Sequence, residues 1–409
     1  MQKNKVVWIM LDSVGIGALP DANQYGDAGA HTLQSIAKAM PELELPTLNG
    51  MGLSCLVSEF NERSKADLQY PHYVARMAEQ SKGKDTITGH WEFTGILTEE
   101  PFPTFPNGFP EPFIMQLENA AGVKFLGNEV ASGTEIIARL GAEHIKTGNP
   151  ILYTSADSVL QIAAHEEVIA VDQLYRICEI ARTLTLTGPY KVGRVIARPF
   201  IGTEGSFVRT ANRHDYALET PKENLLQDLI DAKIPLYAVG KIRDIYAGVS
   251  FDKAETTKNN RDGMEKTLSF YHTLCQQHEY GVIYVNLVDF DMQYGHRRDC
   301  IGYGTALAEF DAWLSDFIDQ IDDNTVVIIT ADHGCDPDYT GTDHTREYVP
   351  LLVYGKHVRV NQDACCVTYP TFADLGATIA EIFGITYTGA GESFAQQVFT
   401  KEFLLKRGD

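Results

Sequence analysis

The sequence predicts an α/β fold, in which helices flank a mostly parallel central sheet and a smaller α+β domain is inserted. Long apolar runs recur along the chain, helical patterns lie between them, and a proline-rich stretch interrupts this alternation. At 409 residues the chain also exceeds what one hydrophobic core usually organises, so two domains are expected.

The strands of the central sheet are predicted from apolar runs that end abruptly in polar residues or glycine. These runs are VVWIML (6–11), IPLYAVG (234–240), VIYVNLV (282–288), VVIIT (326–330) and PLLVYG (350–355). Continuous apolar runs of this length are typical of parallel strands buried on both faces. A helical pattern such as 305–321 lies between them, and functional sites of such sheets gather at the carboxyl ends of the strands.

The inserted domain is predicted from residues 101–113, which hold five prolines and four phenylalanines. Proline fixes φ and lacks an N–H donor, so this stretch is predicted to be neither an ordinary helix nor a central strand. We interpret it as a crossing between domains, and the chain returns to the first pattern near 219–222. The prediction is a core formed by residues 1–100 and 220–409, with an insertion at 101–219. Its own strand and helix signals lie at 123–128, 133–145, 150–155, 171–186 and 191–202.

Composition limits the classes of partner. The formal net charge is −21, from 55 acidic and 34 basic residues, which opposes binding to nucleic acids or anionic membrane surfaces. No stretch approaches the roughly 20 apolar residues of a membrane span, and the first apolar run is too short for a signal sequence. We therefore expect a cytoplasmic protein whose seven cysteines are reduced packing thiols; the alternative for the adjacent Cys365–Cys366 pair is a redox-active role.

Three separated segments carry candidate metal ligands. They contain Asp12, then Asp289, Asp291 and His296, then Asp332, His333 and His344. Carboxylates mixed with imidazoles suit Mn²⁺, Zn²⁺ or Fe²⁺ better than Ca²⁺ or Mg²⁺, and six such ligands suffice for two ions. Taken singly, each aspartate could instead be a helix cap or turn residue, and each histidine a structural residue. Their joint occurrence at strand ends favours the metal interpretation.

Thr86, in SKGKDTITGHWE (81–92), is the candidate nucleophile. A hydroxyl needs a base or a metal to react near neutral pH. If Thr86 opens a helix after the turn at Gly83, backbone N–H groups could also receive a phosphate on its oxygen. The alternative is that Thr86 or Thr88 only caps the helix.

Three other catalytic motifs are incomplete or absent in the sequence. GKDT (83–86) is not a phosphate-binding P-loop, because Ala78 and Asp85 occupy two of the required positions. HEEVI (165–169) lacks the second histidine of a zinc-protease helix, and no G-x-S-x-G serine-hydrolase motif occurs.

Taken together, the motifs resemble the phosphopentomutase family of the alkaline phosphatase superfamily. The resemblance covers essentially the whole chain. It is carried in the core by MLDSVGIG, KDTITGHWE, DFDMQYGH, TADHG and GTDHTREYVPLL, and elsewhere by YTSADSVLQIAAHEE, GRVIARPF, TANRHDYAL and VGKIRDIY. It implies an alkaline-phosphatase-like core with the insertion as a cap that closes over the site and excludes water.

The resemblance also implies the roles of the site residues. One metal would be held by Asp12, Asp332 and His333, and the other by Asp291, His296 and His344. Thr86 would carry the phosphate, and Asp289 would be a supporting residue. The chain departs from the family in having Cys335 where the family usually has asparagine.

Substrate contacts are expected from residues in the family-like segments. Arginine forks suit phosphate groups, so we expect Arg194, Arg209 and Lys241 to bind the substrate, with Arg198 and Arg213 as further cations. The alternative for each arginine is a surface salt bridge. Ser155 and Asp157 could bind sugar hydroxyls, or could form a turn at a strand end.

The implied reaction interconverts ribose 1-phosphate, or its 2-deoxy analogue, and the 5-phosphate through a phosphothreonine enzyme and a 1,5-bisphosphate. The expected cofactors are two divalent ions, with Mn²⁺ favoured, and a hexose or pentose bisphosphate as activator. The expected partner is a small pentose phosphate, and the expected state is a monomer. The alternatives are a capped metal-dependent phosphohydrolase, a phosphoglycerate mutase, or a non-catalytic sugar-phosphate sensor.

Overall fold

The computed structural model describes residues 4–60, 65–155, 158–278, 280–360 and 367–404. The chain divides into two compact units. The core unit comprises Met1–Glu100 and Thr220–Asp409, and the inserted unit comprises Pro101–Glu219. Asp157, Cys365 and Cys366 lie outside the described residues.

The core unit is built on a sheet that has eight strands within the described residues. Its strands are β1 (Lys5–Leu11), β2 (His72–Met77), β9 (Leu236–Val239), β10 (Lys253–Glu255), β11 (Gly281–Leu287), β12 (Thr325–Thr330), β13 (Val349–Tyr354) and β14 (Thr368–Tyr369). Their order across the sheet is β10-β9-β11-β1-β12-β13-β2-β14. Neighbouring strands are parallel except at β13, which runs antiparallel to both β12 and β2. The prediction of an α/β core with a mostly parallel sheet is thus confirmed.

Helices cover this sheet. They are α1 (Thr32–Ala39), α2 (Pro46–Gly50), α3 (Leu53–Leu56), α4 (Thr86–Phe93), α8 (Leu225–Asp231), α9 (Ile242–Ile245), α10 (Asn260–Gln277), α11 (Cys300–Ile318), α12 (Ala373–Phe383), α13 (Ala395–Val398) and α14 (Lys401–Leu404). Short 3₁₀ turns lie at Ala22–Tyr25 and Ser58–Phe60, and a π-helix spans Phe290–Gly295. No helix in the described part of the chain is long and apolar enough to cross a bilayer.

The central strands are buried along their whole length, as their apolar composition requires. Every residue of β1, β11 and β12 is buried. Trp8 of β1 stacks on Tyr284 of β11 with ring centroids 3.9 Å apart, and Phe93 packs edge-on against Trp8. These ring contacts join two neighbouring strands of the sheet to α4, which carries Phe93.

The inserted unit has a second sheet with helices of its own. Its strands are β3 (Leu126–Val130), β4 (Ile151–Thr154), β5 (Val159–His165), β6 (Arg194–Ile201), β7 (Val208–Arg209) and β8 (His214–Ala217). The order is β3-β4-β5-β6-β7, with β8 also paired to β6, and parallel and antiparallel pairs are mixed. Its helices are α5 (Glu111–Ala121), α6 (Gly133–Thr147) and α7 (Val171–Leu184), with a 3₁₀ turn at Gly188–Tyr190.

Two details of the sequence prediction were wrong. The run 350–355 was expected to be parallel, but β13 is antiparallel, because a buried apolar run carries no information about strand direction. The proline-rich stretch was expected to exclude an ordinary helix, but α5 begins at Glu111 with Pro112 in its first turn. Proline is tolerated there because the N–H groups of a first helical turn have no partner within the helix.

Candidate metal centre

The candidate ligands converge because the strands that precede them are neighbours in the sheet. Strands β11, β1 and β12 are adjacent and parallel, so their carboxyl ends lie at one edge. Asp12 follows β1, Asp332 follows β12, and Asp291 lies four residues after β11. The backbone N–H of Asp12 donates to the carbonyl of Leu287, which joins two of these strand ends.

Asp12, Asp332 and His333 form the first ligand group. One ligand atom from each lies within 4.8 Å of the others, and all three residues are buried. His333 Nε2 is 3.6 Å from Asp12 Oδ1 and 3.2 Å from Asp332 Oδ2. Ser13 adopts a left-handed backbone conformation, with φ 72°, which lets its N–H donate to Asp332 Oδ1. Such a conformation is rare for a residue with a Cβ and is typical of functional sites.

Asp291, His296 and His344 form the second ligand group. Asp291 lies 3.3 Å from Nε2 of each histidine through its two oxygens, and the two Nε2 atoms are 3.1 Å apart. The π-helix explains the spacing within this group: His296 N donates to the carbonyl of Asp291, five residues earlier. An isolated bridge between Gly334 and Thr345 brings His344 beside His333, and the two rings stack at 3.9 Å.

Two buried residues that the sequence analysis did not select orient the first ligand group. His90 Nδ1 lies 3.2 Å from Asp332 Oδ2 and 2.9 Å from the carbonyl of Thr86. Asn286 donates to Asp12 Oδ2 and lies 3.3 Å from His90 Nε2. Such outer contacts fix the orientation of metal ligands. The signal that could have revealed His90 is its spacing of one helical turn from Thr86.

The electrostatics of the cluster favour cations. Burial, together with the charges of Asp332 and Asp291, raises the pKa of Asp12 to about 6. Burial alone would lower the pKa of His333, but Asp332 and its neighbouring carboxylates raise that pKa to about 10. Burial likewise opposes charge on His296, yet its hydrogen bond with Asp291 raises its pKa to about 12. Three buried carboxylates therefore draw positive charge into a small volume.

Three buried carboxylate oxygens of the two groups also suit metal ions. Within the described residues, Asp12 Oδ1, Asp291 Oδ1 and Asp332 Oδ2 are buried and make no hydrogen bond, although imidazole nitrogens of the same cluster lie 3.2–3.6 Å away. Buried carboxylate oxygens are normally hydrogen-bonded or bound to a metal, because burying an uncompensated charge is costly. All three oxygens belong to the two ligand groups, and carboxylate and imidazole donors suit first-row divalent ions.

Thr86 lies next to the first ligand group. Its Oγ1 is 3.1 Å from His333 Nε2. It is the first residue of α4, and the cap of this helix is Asp85, which accepts from the N–H groups of Ile87 and Thr88. The alternative that Thr86 or Thr88 caps the helix is therefore wrong. The Asp85 carboxylate already occupies the N–H groups of Ile87 and Thr88, and phosphate binding by the N–H of Thr86 stays a prediction.

The loop before Thr86 is held in place by a buried arginine. The guanidinium of Arg346 donates to the carbonyls of Glu79, Ser81 and Gly83 at 2.8–2.9 Å, and it pairs with the Glu79 carboxylate. Arg346 is two residues beyond His344, so one side chain connects the segment that carries a candidate ligand to the segment that carries Thr86. The sequence analysis did not select it.

Asp289 and Cys335 lie beside the ligand groups. Asp289 Oδ2 accepts from the N–H of Asn260, and Asn260 Oδ1 accepts from the N–H of Asp289, so this carboxylate anchors the start of α10. Cys335 is buried, and its Sγ lies within 4.8 Å of ligand atoms of Asp291 and His296. Burial raises the pKa of the Cys335 thiol to about 11.

The residues expected to bind substrate are divided between the two units. Lys241 follows β9 in the core unit, and its charge lowers the pKa of Asp12 against the larger opposing effects of burial and of neighbouring carboxylates. Ser155 follows β4 and Arg194 begins β6 in the inserted unit, where Arg209 ends β7.

Four arginines of the inserted unit, Arg194, Arg198, Arg209 and Arg213, form what we call the arginine cluster. Arg213 makes a bidentate contact with Asp215 at 2.6 and 2.7 Å, and Arg194 lies 3.6 Å from the same carboxylate. The charges of Arg198, Arg209 and Arg213 all act on the hydroxyl of Tyr153. Arg209 is exposed and lines a cavity of about 240 Å³.

Sequence comparisons with curated proteins find relatives of one family. The model of the Metalloenzyme superfamily matches residues 4–387. A phosphopentomutase of Carboxydothermus hydrogenoformans is 52% identical over 95% of this chain and 98% of its own. A phosphopentomutase of Clostridium novyi is 50% identical over 97% of this chain and 99% of its own. Among solved structures, a phosphoglycerate mutase of Leishmania mexicana is 12% identical over 95% of this chain and 97% of its own, with a TM-score of 0.47. An alkaline phosphatase from the Antarctic bacterium TAB5 is 10% identical over 94% and 98%, with a TM-score of 0.39.

Proposed function

The chain belongs to the phosphopentomutase family within the metalloenzyme superfamily, and we propose that it interconverts a pentose 1-phosphate and the 5-phosphate. The substrates are ribose 1-phosphate and its 2-deoxy analogue. The observation that carries the proposal is the position of the Thr86 hydroxyl, 3.1 Å from His333 and beside a cluster of candidate metal ligands.

The proposed centre binds two divalent cations, with Mn²⁺ as the expected metal. Asp12, Asp332 and His333 would hold one ion, and Asp291, His296 and His344 the other. Bound ions would supply positive charge for the phosphoryl oxygens and for the attacking and leaving oxygens of an in-line displacement. The three buried carboxylate oxygens that make no hydrogen bond support this assignment.

Thr86 is proposed to carry the transferred phosphate. In the phosphoenzyme its Oγ1 is bonded to phosphorus, and a hydroxyl of the pentose monophosphate displaces it to give the 1,5-bisphosphate. The other phosphate of the bisphosphate then returns to Oγ1, so the enzyme regains its phosphate and the sugar is isomerised. Arg346 and Glu92 support this role, because they fix the backbone of residues 79–83 and thereby the approach of Thr86.

The inserted unit is proposed to act as a cap that recognises the sugar phosphate and limits access of water to the phosphoenzyme. The arginine cluster supports this role, since guanidinium groups bind phosphate oxygens bidentately. Arg194, Arg209 and Lys241 are the proposed phosphate ligands, and Ser155 and Asp157 the proposed partners of the sugar hydroxyls. A hexose or pentose bisphosphate would prime Thr86, and a cytoplasmic, monomeric enzyme is part of the proposal.

Phosphorus NMR of incubations with ribose 1-phosphate and, separately, with 3-phosphoglycerate tests this function. Ribose 1-phosphate is mixed with the protein, Mn²⁺ and a catalytic amount of glucose 1,6-bisphosphate. We expect ribose 5-phosphate to accumulate. Inorganic phosphate as the main product would instead support a phosphohydrolase, and an unchanged spectrum would support a sensor. Conversion of 3-phosphoglycerate and not of ribose 1-phosphate would support a phosphoglycerate mutase.

Mass spectrometry of the protein tests the covalent step separately. After incubation with glucose 1,6-bisphosphate and Mn²⁺, the peptide that contains Thr86 should gain one phosphate. The Thr86→Val variant is the matched control, because it removes the hydroxyl and keeps the branched shape. Modification of another residue, with Thr86 unmodified, would contradict the proposed acceptor.

A further inference from the structure

Cys335 places a sulfur atom beside the second ligand group. Its Sγ, a nitrogen of His296 and a carboxylate oxygen of Asp291 lie within 4.8 Å of one another. Cys335 is 1% exposed, and its side chain packs against Gly295, where a Cβ would stand 2.8 Å from Sγ. The backbone N–H of Cys335 donates to Thr32 Oγ1, so the position of the thiol is set by packing and hydrogen bonding.

A second observation indicates a ligand here. Asp291 is 3% exposed; its Oδ2 lies 3.3 Å from His296 Nε2, and its Oδ1, which lies 3.3 Å from His344 Nε2, makes no hydrogen bond within the described residues. The His296 ring is oriented from its other side, where Nδ1 lies 2.6 Å from the carbonyl of Thr342, which leaves Nε2 facing Asp291. A buried carboxylate and an oriented imidazole nitrogen thus lie beside the thiol, whose Sγ is 3.7 Å from the carbonyl of Asp343.

The chemistry of this triad differs from that of the two groups already described. Those groups contain only oxygen and nitrogen donors, whereas thiolate sulfur favours softer ions such as Zn²⁺, Cd²⁺ and Co²⁺. Ligand atoms in tetrahedral zinc sites stand about 3.5 Å apart, because zinc–ligand distances are about 2.0–2.3 Å. The triad is therefore close to a binding geometry and requires only small side-chain movements.

We propose that Asp291, His296 and Cys335 form a thiolate-containing position for a thiophilic divalent cation, which overlaps the proposed second metal position. On binding, the sulfur–metal bond forms as the thiol proton leaves to solvent or buffer, with no change of oxidation state. Asp291 and His296 are shared with the His344 group, so the two overlapping positions hold at most one ion at a time. The inference rests on the proposed metal centre and not on mutase activity.

Cobalt spectroscopy of the full chain tests this position. Metal-free protein is titrated with Co²⁺, and cobalt content is measured by elemental analysis. We expect a thiolate-to-cobalt charge-transfer band in the near ultraviolet that saturates with the bound metal. Cys335→Ser should lose the band while binding cobalt through the remaining ligands. Cys275→Ser is the matched control, because Cys275 is a half-buried thiol of α10 that belongs to no candidate metal group, and it should keep the band.

Competition between ions gives a second measurement. The affinity for Cd²⁺ relative to Mn²⁺ should fall at least ~10-fold in Cys335→Ser and in Cys335→Ala. Bound cobalt without a charge-transfer band in the wild-type protein, or a band that persists in both Cys335 variants, would overturn the proposal. Because the readout is optical, a chain that proved inactive as a mutase could still display the band.

Discussion

The two units differ in the sign and in the exposure of their clustered charged side chains. In the core unit, Asp12, Asp291, Asp332 and His333 are at most 3% exposed, and each is held by several neighbours. In the inserted unit, Arg194 and Arg213 are 30% and 44% exposed, and both share the single carboxylate of Asp215. The core unit therefore concentrates buried negative charge, and the inserted unit presents accessible positive charge.

The difference matches two physical tasks. A site that binds compact cations benefits from rigid, dry ligands, because reorganisation at the moment of reaction is costly. A site that receives a flexible sugar phosphate benefits from long side chains that can adjust, and their charge costs little to keep hydrated. Substitutions in the core unit should accordingly affect turnover and stability, and those in the arginine cluster should affect substrate affinity.

The largest effect is expected at Thr86. Thr86→Ala removes the proposed acceptor oxygen, so kcat should fall ~10⁴-fold or more, as expected on loss of a covalent nucleophile. Metal content, measured by elemental analysis, should stay unchanged, because Thr86 belongs to neither ligand group. Thr86→Ser keeps a hydroxyl and should retain part of the activity. Turnover by the alanine variant close to that of the wild type would remove Thr86 from the mechanism.

His344→Ala should lower the affinity of the proposed second metal position by more than ~100-fold, because a proposed ligand is lost. Activity should disappear together with one equivalent of metal. Elemental analysis after dialysis measures the metal, and His272→Ala, at an exposed position of α10, is the control that should keep it. A fully active His344→Ala protein with two bound ions would refute the assignment of His344.

Arg346→Met tests how much the stability of the core unit depends on one buried cation. Arg346 and Glu79 are 2% and 3% exposed, so removing the arginine leaves an uncompensated carboxylate. The free energy of unfolding should fall by ~3–5 kcal/mol. Urea denaturation measures it, and Glu79→Gln combined with Arg346→Met should recover part of the loss. If the single and double variants lose equal stability, the ion pair is not the cause.

Arg209→Ala should raise KM for ribose 1-phosphate roughly tenfold, which corresponds to one charge-assisted hydrogen bond of about 1.4 kcal/mol, and leave kcat nearly unchanged. Its free energy of unfolding should change by no more than ~0.5 kcal/mol, because the residue is exposed. Arg176→Ala, at an exposed arginine of α7, is the control and should leave KM unaltered. A fall in kcat at constant KM would place Arg209 in the chemical step.

The smallest effect concerns the pH dependence of the arginine cluster. Burial alone would raise the pKa of Asp215, but the hydrogen bonds and charge of Arg213, with Arg194 and Arg198, hold it below the usual 3.8. Above pH 3.8 the ionised carboxylate of Asp215 stabilises the folded state. This stabilisation is lost as the pH falls through the lower pKa that Asp215 has in the folded state. Asp215→Asn should thus be less stable than the wild type by under ~1 kcal/mol near pH 6, and this difference should shrink in acid. A difference that does not depend on pH would exclude the ion pair as its source.

Much of the fold could be predicted because it depends on local pattern. The apolar runs of β1, β11 and β12 are fully buried, and a buried strand of a parallel sheet needs little more than such a run. The position of Thr86 at the start of α4 likewise follows from local turn and capping chemistry, since Asp85 in the sequence KDT is a strong cap.

The sequence by itself determined the buried strands β1, β11 and β12, and which acidic and histidine side chains follow them. Only the tertiary structure decided that β13 is antiparallel, that His90 and Asn286 support Asp332 and Asp12, and that Arg346 ties the loop of Thr86 to the segment of His344. The reason is distance along the chain: Arg346 and Gly83 are 263 residues apart, so no local pattern records their contact. Packing of the strands and helices brings residues that are distant in sequence into contact. Once a charged side chain is buried there, it needs a hydrogen-bond or ion-pair partner, and these distant residues supply it.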